Sequence, residues 1–102
     1  MGASIPLHDR PLNANRAIQR VRRLLKEGAL TWVVGARRKL QARRLDLLDV
    51  ENVIRYGRVV HRTRGMDLWR YTVGGPSVNG RKLWLIVEIS IHLIVITAYP
   101  KR

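Results

Sequence analysis

The sequence predicts an α+β fold, with N-terminal helices packed on one face of a small antiparallel sheet. Three observations carry that reading. Apolar residues recur at helical spacing as far as Ile54, then alternate or run continuously beyond Gly57. The turn signals of a strand meander, Gly65, Gly74–Gly75–Pro76 and Asn79–Gly80, all fall in the second half. The chain has 102 residues, 46% hydrophobic and 26% charged, which fits one globular domain with one core rather than a disordered or membrane-embedded chain.

Residues 1–12, with Pro6 and Pro11, form a flexible leader expected to order only against a partner, and residues 13–102 form the single domain. Asn13 or Asn15 caps a helix running to about Glu27, because an Asn side chain accepts a hydrogen bond from a first-turn amide. Ile18, Val21, Leu24 and Leu25 are its apolar stripe, while Arg16, Arg20 and Arg23 line another face. Gly28 ends it. Residues 29–34 suit a short strand, and residues 36–43 a short basic helix anchored by Leu40. Asp46 caps a third helix, with Asp49 favourable at its third position and Leu47, Val50 and Ile54 facing inward, until Gly57 stops it. Residues 58–62, 68–73, 82–88 and 93–99 read as strands, the last two so apolar that they belong in the middle of the sheet.

The charge is large and uneven. Twenty Lys and Arg against seven Asp and Glu leave a net charge of +13. Residues 16–44 hold ten basic residues against Glu27 alone, so this segment carries +9 of it. Such a surface favours a polyanion: nucleic acid, an acidic membrane surface or an acidic protein. Cysteine is absent, which removes disulfides, thiol nucleophiles and cysteine zinc sites. His8, His61 and His92 have no metal-ligand spacing, and no glycine-rich loop precedes a helix, so neither a metal nor a cofactor is expected. The longest apolar stretch, residues 83–98, is broken by Glu88, Ser90 and His92 and is too short to span a bilayer; residues 1–9 lack a secretory pattern. A cytoplasmic protein is expected.

What remains suits metal-free RNA cleavage, which needs a base for the 2′-hydroxyl, cations for the charge growing on the phosphate, and an acid for the leaving oxygen. The strand region offers His61, Arg62, Arg64, Arg70, Tyr71, Arg81, Lys82, Glu88, His92, Tyr99, Lys101 and Arg102. Alternation sets Arg70 and Thr72 opposite in direction to Trp69, Tyr71 and Val73. Arg37, Arg38, Lys39, Arg43, Arg44, Arg62, Arg64 and Lys82 are the candidate nucleic-acid contacts. Trp32, Trp69 and Trp84 read as core, Tyr71 as core edge or site, and His92 as a hairpin tip. Glu88 faces out or pairs with an arginine.

From Trp32 onward the chain carries Ala36, Leu45, Asp46, Asp49, Val50, Gly57 and a closing Ile96–Thr97–Ala98–Tyr99, the pattern of an uncharacterised family of small bacterial domains. The segments Leu68–Trp69–Arg70–Tyr71, Leu83–Trp84–Leu85–Ile86–Val87 and Tyr99–Pro100–Lys101–Arg102 look like strands of MqsR-type toxins. The sequence thus resembles the RelE-like toxin superfamily. That resemblance implies a RelE/MqsR-like fold and a metal-independent endoribonuclease that cleaves messenger RNA, on or off the ribosome. It also implies an acidic antitoxin covering the basic cleft. For catalysis it implies Arg70 and Lys101, with Tyr99 and His61 as neighbours able to move protons. Two departures weigh against activity. Gly35 stands at the family's His position and Val33 at its hydroxyl position; Arg70 replaces the MqsR-type Gln, and Trp84 its Tyr, so no phenolic proton is available there. The alternatives are a non-catalytic basic module binding nucleic acid or an acidic protein, and a membrane-surface module built on the amphipathic first helix.

Overall fold

The computed structural model describes residues 10–101. Three helices and five strands follow in the order α1 (Ala14–Lys26), β1 (Leu30–Trp32), α2 (Ala36–Ala42), α3 (Leu47–Tyr56), β2 (Arg58–Arg64), β3 (Trp69–Pro76), β4 (Lys82–Ile89) and β5 (Leu93–Pro100). Asn13 caps α1 by accepting the Arg16 N–H at 2.9 Å. Ala17, Ile18, Val21 and Leu24 are the buried stripe of that helix. Gly28 turns the chain away at φ +74°, a left-handed value that favours glycine. On α2 only Ala36 and Leu40 are buried. α3 opens on a reciprocal capping box in which Asp46 accepts the Asp49 N–H and Asp49 accepts the Asp46 N–H. Its inward residues are Asp49, Val50, Val53 and Ile54; Leu47, expected inside, is 41% exposed, because the buried stripe runs through Asp49, Val50, Val53 and Ile54 and leaves Leu47 off it.

The sheet order is β1-β5-β4-β3-β2. The last two strands are interior, as their apolar runs predict. Four strands form the antiparallel meander, while β1 pairs parallel with β5, Leu30 opposite Leu93 and Trp32 opposite Val95, so the sheet is mixed. Gly74–Gly75–Pro76, expected as a turn, instead ends β3. The reversal comes at residues 77–80, where the Ser77 N–H donates to the Arg81 carbonyl, the Ser77 carbonyl accepts the Gly80 N–H, and Asn52 of α3 donates to the Pro76 and Ser77 carbonyls.

All three helices pack on one face. Ile18, Val21, Leu24, Leu40, Val50, Val53 and Ile54 meet Val59, Tyr71, Val73, Leu83, Leu85, Val87, Leu93 and Val95 in one core, with Trp32 and Trp69 at its margin. Tyr71, left open between core and site, is 4% exposed in this core. Its hydroxyl accepts the Leu12 N–H at 2.9 Å, and Arg62 donates to the Leu12 carbonyl at 3.2 Å. The end of the expected leader is therefore tied to β2 and β3; its residues 1–9 lie outside the described residues. Among the described residues no helix is long and apolar enough to cross a membrane.

Candidate nucleic-acid interface

Strand alternation sends every second side chain to the face that the helices leave open. Register arranges that face in cross-strand rows. Arg58, Gly74, Trp84 and Tyr99 form one row; His61, Thr72, Ile86 and Thr97 the next; Thr63, Arg70, Glu88 and Ile94 the third. A bulge between Val59 and His61 brings Val60 to the same side, where it nears Gly74.

Around the first row the face is concave. A basin of about 640 Å³ is lined by Arg58, Val60, Gly74, Pro76, Lys82, Trp84 and Lys101 among others. Trp84 lies across Gly74: a Cβ added there would come 3.3 Å from the indole Cζ3 and 3.5 Å from Cε3. Lys101 Nζ stands over the ring, 5.2 Å from its centroid. The Lys101 N–H donates to the Lys82 carbonyl at 2.8 Å, which sets both lysines at one end of the basin. Arg58 and Lys82 make no ion pair among the described residues. Tyr99, next to Trp84 across the strands, is 40% exposed. The single strand acid on this face, Glu88, is neutralised by Arg70, whose Nε donates to it at 2.9 Å.

The four residues proposed for catalysis share this face but not one place on it. Lys101 lines the basin, and Tyr99 stands outside its lining, across the strands from Trp84. Arg70 lies two rows and two strands away, about 17 Å from Tyr99 by strand rise and spacing, and is held by Glu88. His61 stands on the edge strand opposite Thr72.

Of the proposed nucleic-acid contacts, Lys82 alone lines the basin. Arg37, Arg38 and Lys39 ride on α2 in the helical layer, with Arg37 stacked over Trp32 at 5.6 Å. Arg43 donates to Thr97 Oγ1 and to the Ala98 carbonyl, so part of its guanidinium fastens the α2 end to β5. Arg44 is the left-handed residue after that helix, at φ +59°. Arg62 holds Leu12, and Arg64 covers Trp69 at 5.6 Å. His92 lies in the β4–β5 turn, as expected.

Sequence reasoning missed Trp84, Arg58 and Gly74. The run from Leu83 to Val87 is apolar at every position, so its parity is hidden; Trp84, expected in the core, stands on the open face. A register argument pairing Gly74 with Trp84 across the hairpin could have found it.

Residues 35–100, from the residue before α2 to the end of β5, match a family described as Domain of unknown function (DUF4258). The chain belongs to that family. The DUF4258 match takes in the whole meander and thus the whole basin apart from Lys101, and it leaves α1 and β1 outside. No curated protein and no solved structure matches the chain.

Proposed function

We propose that this protein binds single-stranded RNA on the open face of its sheet. One observation carries the reading: the Trp84 ring lies in a concavity rimmed by Arg58, Lys82 and Lys101, with no unpaired strand acid on that face. An aromatic ring among cations is the arrangement that holds unpaired bases, about 1–3 kcal/mol coming from each stacked base while the cations take the phosphates. RNA rather than DNA follows from the resemblance to RelE/MqsR-like toxins, and an RNA target suits a cytoplasmic protein.

A second reading, endoribonuclease toxin, is favoured by Tyr99 standing beside Lys101. The Tyr99 phenol would give its proton to the 5′-oxygen as that group leaves, water would accept the 2′-hydroxyl proton as the freed oxygen attacks the adjacent phosphorus, and the cations would stabilise the charge growing on the phosphate. An acidic antitoxin segment would then mask the same basin.

Purified protein incubated in EDTA with a defined RNA, with and without ribosomes, separates the readings when Tyr99→Phe and Arg70→Ala run alongside. The binding reading expects a salt-sensitive gel shift with intact RNA. Cleavage that survives EDTA and disappears in Tyr99→Phe would establish the nuclease at the basin, and disappearance in Arg70→Ala alone would move it to the third row. Neither shift nor cleavage would overturn both.

A further inference from the structure

We infer that Lys101 is an exchangeable cover on the Trp84 ring: an unpaired base stacks where the ammonium stands, and the ammonium moves to that nucleotide's phosphate. The inference rests on the RNA-binding reading and assigns a site within it. One side of the indole lies against Gly74, so close that even a methyl group there would touch the ring. Lys101 Nζ stands over the ring, 5.2 Å from its centroid.

That cover is weakly held. No carboxylate pairs with Lys101 among the described residues, and its side chain is exposed. Its backbone, by contrast, is fixed by the bond to the Lys82 carbonyl, so the ammonium can swing without the strand moving. A cation over an exposed ring is held less strongly than a base stacked on it, which makes the exchange downhill. The displaced ammonium then finds a phosphate instead of water. Arg58 and Lys82, on opposite sides of the basin, are placed for the flanking phosphates. Bases inside a duplex already have both faces stacked, so the exchange selects single strands.

The probe is a short single-stranded RNA carrying one 2-aminopurine, whose fluorescence falls on stacking, titrated into the full chain at several salt concentrations beside its duplex form. The wild type should quench the single strand further and leave the already low fluorescence of the duplex unchanged. Lys101→Met should keep the quenching while the log–log salt slope becomes shallower by about one. Trp84→Leu should lose the quenching and about tenfold or more in affinity with an unchanged slope, and Trp84→Phe should restore much of both. Circular dichroism melts of each variant establish that it is folded. An unchanged slope with reduced quenching in Lys101→Met would mean that the lysine stays on the ring, and quenching that persists in Trp84→Leu would place the base elsewhere. Either result overturns the exchange while leaving RNA binding intact. No binding by the wild type would overturn the underlying reading as well.

Discussion

Asp49 holds two pieces of chain together with one carboxylate. One oxygen accepts the Asp46 N–H at 3.0 Å, and the other accepts the Val78 N–H at 3.0 Å from the β3–β4 turn, and the residue is buried. Replacing it by Ala removes half of the capping box and orphans a turn amide, so Asp49→Ala should destabilise the fold by about 2–3 kcal/mol in urea denaturation, and Asp49→Asn by less. Arg22 does comparable work at the other end of α3. Its Nε donates to the Ile54 carbonyl at 2.9 Å, and one Nη donates to the Arg55 and Gly57 carbonyls at 3.2 and 2.9 Å. A lysine cannot reproduce that fork, and Arg22→Lys should cost about 1–2 kcal/mol by the same measurement. Asp49 was legible as a cap because its partner sits three residues away. Arg22 was counted only as charge, since the carbonyls it satisfies lie more than thirty residues downstream.

At the scale of elements, the seam between α3 and β3 depends on the absence of side chains. A Cβ on Gly75 would come 2.8 Å from the Val53 carbonyl oxygen and 2.9 Å from the Gly57 Cα, and one on Gly57 would collide with the Val53 and Gly74 carbonyls. Gly75→Ala must push the helix off the sheet, and we expect a loss of about 2–4 kcal/mol with a lowered melting temperature. Gly80→Ala meets no neighbour but must hold φ +85°, so its cost should be nearer 1 kcal/mol. The contrast explains why Gly74–Gly75–Pro76 was misread. Glycine and proline in a row signal a turn locally, whereas close helix–strand approach exists only after α3 has docked. The caps of α1 and α3 and all four meander strands rest on nearest-neighbour chemistry, and those the sequence displayed openly.

For the whole molecule the dominant quantity is charge. With +13 on 102 residues and two ion pairs among the described residues, the folded chain repels itself. Thermal stability should therefore rise as sodium chloride increases from about 0.01 M to 0.15 M, where the Debye length falls from about 30 to 8 Å, before any partner is added; a flat or falling melting curve would contradict this. The candidate site was half legible at this scale. Lys82, Tyr99 and Lys101 were singled out for their chemistry, but the surface that unites them needed the register that pairs Trp84 with Gly74 and Tyr99. The parallel pairing of β1 with β5 has a consequence for how the chain reaches this state. The first strand waits for the last, so no sheet containing β1 can close until Leu93–Pro100 has been made. Until then the apolar run of β4 is an open edge, a template for other chains, and non-local closure of this kind is slow. A chain ending before Leu93 should aggregate rather than fold, and a nascent one should rely on whatever shields β4 while its final strand is synthesised.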